Sequence, residues 1–411
     1  MELDEWIRQV VKQLREGDDS KAYNANQLLP LLSSSSISTS TFNSIPTSIS
    51  SILQLPINDS IVKLWKDFIT NHVLYLSNKV KKADPNKLFG TFNQSFISFT
   101  KIYKKLNEGK WSAPLVKWFC NNLHKLAKHA DGNFKSTGKS PDNYNEAVRT
   151  IQQQFGACQI STGKFPYSKL YGVVYCINIL CKIFFKLNKI QACATLSRWY
   201  EQNHNSIPLK VYPMSIRVTF KYFMGRMALY SMDEEKAKEY LEFAAKHCNK
   251  QAVKNKTSII RYLIPLKLNK GIYPSEELLD KYNLNEYKEI SKAIHTGHIL
   301  KFNEELELYE QLFISNGLYV IMNKLRYVTY RNLLKKALMI INPSNRHMRL
   351  EDFRRALEIS SGENIDALEV ESLVASMIDN KHLLGYILHE RGLIIMTKYK
   401  EVFPPILNTR L

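Results

Sequence analysis

The stretch ALEVESLVASMIDNKHLLGYILHERGLIIM, residues 367–396, changes its hydrophobic period part-way along. Val370, Leu373, Val374, Met377 and Ile378 recur at three-to-four spacing, which predicts a helix over 367–380 opened by Asp366 or a neighbour. Residues 383–388 and 393–396 follow as two short apolar runs around Glu390-Arg391-Gly392, the pattern of a β-hairpin. Upstream, RLEDFRRAL at 349–357 reads as a short helix with Glu351 and Asp352 in its first turn, where the helix dipole favours acids. Before that, KLRYVTYRNLLKK at 324–336 reads as a cationic helix stopped by Asn342-Pro343-Ser344-Asn345. Three helices and then a hairpin is the order of a winged helix.

Further upstream the pattern is helical throughout. Apolar residues at helical spacing predict helices near 61–82, 87–106, 112–130, 142–158 and 166–187, separated by polar turns such as Ala83-Asp84-Pro85-Asn86. From 212 the helices come in pairs: 212–230 and one begun by Met232-Asp233, then 252–269 and 274–282, then 287–295 and 299–315. Gly225 and the small residues Ala237, Ala244 and Ala245 permit close approach within the first pair. Hairpins of this size cannot bury their apolar faces alone, so they stack, which predicts a right-handed α-solenoid of tetratricopeptide-like pairs. The expected organisation is a helix over 3–15 and a Ser/Thr-rich segment in 1–60, a helical solenoid in 61–316, and a winged helix in 317–411. The tract 33–51 is mostly Ser and Thr, too polar to offset its ordering entropy, and reads as a flexible insertion.

Composition bounds the function. The chain has 411 residues, a formal charge of +19 and 45% hydrophobic residues, enough for sizeable cores and a surface that favours acidic partners. Six cysteines show no CxxC spacing and read as buried thiols in a reducing compartment. The longest apolar run, 170–187, is interrupted by Asn178, Lys182 and Lys186, which suits a buried helix better than a bilayer, and no membrane association is expected. No Walker A, GxGxxG, HExxH or GxSxG motif is present, so the expectation is a non-catalytic protein without cofactor. His124 with His129, and His295 with His298, lack supporting ligands at metal spacing, so no metal is expected.

The order of helical stack and winged helix, with Arg349–Phe353 and Ile365–Ile387, resembles the PCI domain of proteasome-lid, signalosome and initiation-factor subunits. Phe220–Arg226, Tyr262–Lys267, Lys324–Lys336 and Phe403-Pro404-Pro405 narrow the resemblance to the Thp-like branch, whose members serve a nuclear transcription-and-export complex. That resemblance implies a large PCI scaffold of the germinal-centre-associated nuclear protein type as partner. It also implies a small acidic subunit shared with the proteasome lid, and RNA or DNA held without strong sequence preference. The implied location is the nucleus, including the envelope and pore, with cytoplasmic presence left open. The alternative is a purely structural assembly subunit of a signalosome, lid or initiation-factor type complex.

Over 313–355 nine Lys and Arg face two acids. Lys324, Arg326, Arg331, Lys335 and Lys336 are the candidate phosphate contacts on the first helix, with Lys324, Arg331 and Lys335 on one stripe. Lys381 and Arg391, with His382 and Lys398, extend the set to the wing, and Tyr327 and Tyr330 are candidates for stacking on unpaired bases. A solvated cationic face over core tyrosines fits the same pattern. The third helix bears Asp366, Glu369, Glu371 and Asp379, which repel phosphates, so charge-led binding is expected over base reading. Leu384, Tyr386, Ile387 and Ile394 are the candidate partner contacts, because the hairpin offers an open strand edge. Lys254, Lys256, Arg261 and Lys267 are expected to form a basic groove for an acidic peptide.

Overall fold

In a computed structural model of the protein, the structure describes residues 60–105, 112–134, 142–160, 168–341, 346–397 and 401–404, with Glu5, Gln9, 30–32 and Phe165. The expected helix over 3–15 (apart from Glu5 and Gln9), the Ser/Thr tract, the stop signal 342–345, Lys398 and Pro405 lie outside the described residues. The chain divides into two compact units, 1–223 and 224–411.

The N-terminal unit is built from α1 (Ser60–Val80), α2 (Pro85–Lys105), α3 (Ala113–Phe134), α4 (Asn143–Gln159), α5 (Val173–Lys186) and α6 (Ile190–Asn203), each packed on the next, with α7 (Met214–Tyr230) crossing the division. The expected turn at 83–86 forms as read: the Leu88 amide donates to the Asp84 carbonyl at 2.9 Å, and Pro85 occupies the first helical position, where its missing N–H costs nothing. The core is aromatic. Phe68, Phe92, Phe96, Phe99 and Phe119 are buried, and Phe119 stacks on Phe96 at 5.0 Å and on Phe99 at 4.8 Å. Rings of this size stabilise by roughly 1.5–3 kcal/mol each on burial. His72 sits in this core, where its Nε2 donates to the Leu32 carbonyl at 2.9 Å and its Nδ1 accepts from Ser95 Oγ at 2.9 Å. A carbonyl can only accept, which assigns the neutral Nε2–H tautomer. Burial pushes the His72 pKa down to about 4. Helix α6 was not foreseen; its few buried positions, Cys193 and Leu196 among them, carry too weak a period.

The C-terminal unit continues with α8 (Glu234–His247), α9 (Val253–Asn269), α10 (Glu276–Tyr282), α11 (Lys288–Thr296), α12 (Ile299–Leu308) and α13 (Glu310–Asn316). The expected pairs appear. Asp233 caps α8 by accepting from the Lys236 amide at 3.1 Å, and Ser275 caps α10 by accepting from the Leu278 amide at 3.3 Å. A Cβ on Gly225 would lie 2.7 Å from Leu241 Cγ, so this glycine is the close-approach point between α7 and α8. The expected single helix over 299–315 breaks in two at Tyr309.

The winged helix comprises α14 (Tyr319–Ile341), β1 (His347–Arg349), α15 (Leu350–Ser361), α16 (Ala367–Asp379), β2 (Gly385–Leu388) and β3 (Leu393–Met396). The hairpin is as expected, and β1 adds a third antiparallel strand in the order β1-β3-β2, pairing Met348 with Ile394 and, across β2, Ile387 with Ile394. Val370, Val374, Met377, Phe353, Leu357 and Leu334 form its core with Met348, Ile394 and Met396. Gly297, at φ +74° after α11, leaves room for the backbone of Leu333, since a Cβ there would lie 2.7 Å from the Leu333 nitrogen. Ser360 Oγ donates to the Gly297 carbonyl at 2.8 Å and accepts from the Ile299 amide at 2.8 Å, tying α15 to the same turn. The fold is thus a stack of helical hairpins followed by a winged helix. Among the described residues, no helix is long and apolar enough to cross a membrane.

Candidate nucleic-acid interface

The cations of α14 do not form the expected stripe. Arg331 is 7% exposed; its guanidinium donates to the Pro404 carbonyl at 2.9 Å and lies 5.6 Å from the Phe403 ring centre. Burial lowers its pKa from the ordinary arginine value, as expected for a charge taken out of water. Its place is explained by its own helix, because it follows Val328 and precedes Leu334 at three-residue spacing and both are fully buried. Arg331 therefore anchors the segment 401–404 and is withdrawn as a phosphate contact.

Lys324 is half-buried, with its ammonium 3.8 Å from Glu234. Burial raises the Glu234 pKa and the neighbouring Lys324 opposes that rise. Arg326 is half-buried, and its Nε is buried without a hydrogen-bond partner. Lys336 is exposed and donates to the Thr296 carbonyl at 2.9 Å. Lys335 is exposed, and among the described residues no acid pairs with it. Lys381 is exposed at φ +58° just after α16, and Arg391 is exposed in the turn between β2 and β3. Of the seven cations, Lys335, Lys381 and Arg391 are the ones that are exposed and whose side chains make neither an ion pair nor a hydrogen bond among the described residues.

The tyrosines are also turned inward. Tyr327 and Tyr330 pack against the winged-helix core, and Tyr327 stacks on His382 at 6.2 Å with rings nearly parallel. Both are partly buried against that core, so neither stands free on the surface as a stacking platform. His382, read as part of the wing surface, is fully buried with neither ring nitrogen hydrogen-bonded, and burial pushes its pKa down to about 4, with Arg331 adding to the effect. The acidic helix stands as read: Glu369 and Asp379 are exposed on α16, and Glu371 accepts from His389 Nδ1 at 2.8 Å.

Of the expected partner contacts, Ile394 is fully buried, because β3 is the central strand and this side chain faces the core. Ile387 packs partly against the same core. Leu384 is half-buried, and its amide donates to the Val402 carbonyl at 2.9 Å. Tyr386, 60% exposed on β2, projects outward, and no strand among the described residues covers the outer edge of β2. Further exposed apolar side chains of the winged helix include Ile340 on α14 at 83%, Ile359 on α15 at 86% and Leu368 on α16 at 68%. Ile359 is out of phase with the buried Phe353 and Leu357, which was the available signal. The supposed basic groove is largely neutralised: Arg261 pairs with Glu286 at 2.9 Å, Lys267 pairs with Glu242, and Lys256 donates to the Ala245 carbonyl.

Comparison with known proteins matches this architecture. The PCI domain model covers residues 306–398, from within α12 to just beyond β3. PCI domain-containing protein 2 of Xenopus laevis is 34% identical over 312 residues, covering 75% of this chain and 77% of that protein. The chain belongs to the PCI domain-containing protein 2 family. The Danio rerio protein of the same name is 32% identical over 75% of this chain and 77% of its own length. A Mycosarcoma maydis relative described as Protein CSN12 homolog is 26% identical, with coverage of 83% and 85%. For a member of this PCI family, the buried Arg331 and His382 and the partly buried Tyr327 belong to the internal framework of the winged helix, and Lys335, Lys381, Arg391 and Tyr386 to its surface.

Proposed function

We propose that this protein is a non-catalytic subunit of a nuclear complex coupling transcription to messenger RNA export. In that complex it pairs with a larger PCI scaffold of the germinal-centre-associated nuclear protein type and with a small acidic subunit shared with the proteasome lid. Its nucleic-acid contact is charge-led and indifferent to sequence. The observation that carries this reading is the set of exposed cations Lys335, Lys381 and Arg391, free of acids among the described residues, on a winged helix whose third helix is acidic. Cations of this kind hold phosphates without reading bases.

The test is filter binding of RNA and DNA to the full chain, alone and with its scaffold, comparing wild type with Lys335→Glu/Lys381→Glu/Arg391→Glu. Affinity is expected to fall about tenfold or more at low salt, and the slope of log affinity against log salt to shrink by about 2, the loss of three single-strand phosphate contacts. Equal, salt-insensitive retention by both proteins sinks the nucleic-acid reading.

A purely structural assembly role is the second reading. It is favoured by the intramolecular pairing of Lys324, Arg331 and Lys336, by the packing of Tyr327 and Tyr330 against the core, and by the open β2 edge carrying Tyr386. Affinity purification with identification of the bound scaffold separates an export subunit from a signalosome or lid subunit.

A further inference from the structure

The N-terminal unit holds a cationic cluster outside the PCI domain. Helices α3 and α5 pack on each other, and each carries a pair of exposed lysines, Lys125 and Lys128 on α3 and Lys182 and Lys186 on α5. Lys128 lies one turn beyond His124, and Lys182 one turn before Lys186, so each helix presents its cations along one face. The two faces meet at Tyr144 of α4: the Lys186 ammonium sits 4.3 Å from the centre of the Tyr144 ring, and that ring lies 5.8 Å from the His124 ring.

His124 is 6% exposed, and its Nδ1 is buried without a hydrogen-bond partner. Burial pushes its pKa down to about 4, and Lys182, Lys186, Lys128 and Lys125 all act in the same direction, so one imidazole feels all four ammonium groups. Burial also lowers the Lys182 pKa, with Lys128 and Lys125 contributing across the helix pair. None of the four lysines is paired with an acid among the described residues. The carboxylate on the His124 face, Asp131, is buried with its Oδ1 unpartnered and acts on Tyr144.

At Lys292, by contrast, the surface ammonium is paired with Glu276 and Glu289. Here like charges from two helices are held together with no such relief. We infer that the cluster of Lys125, Lys128, Lys182 and Lys186 around His124 is a phosphate-binding site, taking clustered phosphates from a nucleic-acid backbone or a small polyphosphate. Ammonium groups are compact point charges suited to phosphate oxygens. Lysines three or four residues apart are neighbours on a helix face, about 5–6 Å between Cβ atoms, so each pair can reach one cluster of phosphates. Where RNA supplies the phosphates, the site deepens the function proposed above, and the two sets of variants fail separately.

The test uses the full chain carrying Lys128→Glu/Lys182→Glu, both exposed positions, with its fold checked by circular dichroism and thermal melting. Lys128→Gln/Lys182→Gln gives the same reading without added repulsion, should charge reversal unfold the chain. The probes are a fluorescent oligouridylate, tripolyphosphate and polyglutamate. Oligouridylate affinity is expected to fall about tenfold at low salt, with the salt slope reduced by about 1.4 for two lost contacts. A fall for tripolyphosphate alone also supports the site and identifies a small polyphosphate as its ligand. Unchanged affinity for both phosphate probes overturns the inference, and so does a polyglutamate affinity that falls as far as theirs. Loss of RNA binding in the Lys335, Lys381 and Arg391 variant, with neither RNA nor tripolyphosphate binding lost in this one, overturns the site and leaves the proposed function standing; the reverse pattern does the opposite.

Discussion

In the sequence, the cations of α14 and those of α3 and α5 look like two versions of one feature, basic residues interleaved with apolar ones along a helix. The fold treats them differently. On α14, Arg331 is spent on the Pro404 carbonyl, Lys324 on Glu234 and Lys336 on the Thr296 carbonyl. On α3 and α5, Lys186 donates to the Tyr144 hydroxyl, Lys125, Lys128 and Lys182 make no such bond, and none of the four lysines is paired with an acid among the described residues. The denser run is the more internally engaged, because a helix packed on several others finds partners for its charges. Cation density in a sequence counts charges, whereas binding depends on charges left over after folding.

The contrast can be broken at Arg331, where the largest effect is expected. Arg331→Glu places a carboxylate beside the Pro404 carbonyl in a buried site and should destabilise the chain by ~4 kcal/mol in urea unfolding. A variant as stable as wild type that binds RNA less well would return Arg331 to the surface and erase the difference.

Acid comes next. The folded pKa of His382 is pushed down to about 4 from the ordinary 6.5, so between those values the unfolded chain takes up a proton that the folded chain refuses. Stability is therefore full above pH 6.5 and falls as pH drops towards 4, by ~3 kcal/mol for this residue. His72 and His124, also near 4, act in the same direction. His382→Phe should remove one of these three steps from a stability–pH curve, and an unchanged acid limb would show that His382 is not held neutral.

A smaller effect tests whether α14 is a structural helix at all. Gly297→Ala forces a side chain against the Leu333 backbone at a left-handed φ and should cost ~2 kcal/mol in thermal or urea unfolding. No loss would mean that α14 sits loosely on the α11 turn. The smallest effect belongs to Lys335→Glu, expected to change stability by less than ~0.5 kcal/mol while lowering the salt slope of RNA binding by about 0.7. A large loss of stability there would place Lys335 among the engaged cations.

Most helices were legible because their apolar spacing is strong: the expected 61–82, 87–106 and 252–269 correspond to α1, α2 and α9 within a few residues. Three elements were not. Helix α6 has few buried positions, the break at Tyr309 lies inside an otherwise continuous periodic run, and three-residue β1 is too short to show alternation. The candidate site was less legible than the fold. Arg331 had a local signal in Val328 and Leu334, but its partner lies 73 residues away in the chain. Ile394 was misplaced because a hairpin read alone does not reveal which strand becomes central. In the sequence the lysines at 182 and 186 interrupt an apolar run and His124 is half of an unsupported metal pair; the meeting of Lys186 and His124 at Tyr144 joins α3, α4 and α5.

By itself the sequence determined the helical period, the change to a hairpin near the C-terminus, the acidic third helix and the excess of positive charge. These are local or additive properties, carried by spacing and composition. Only the tertiary structure decided which cations remain free, which tyrosines are core and which strand is central. Those outcomes turn on pairings between segments far apart in the chain, where burial raises the cost of an unpartnered charge and so selects its partner.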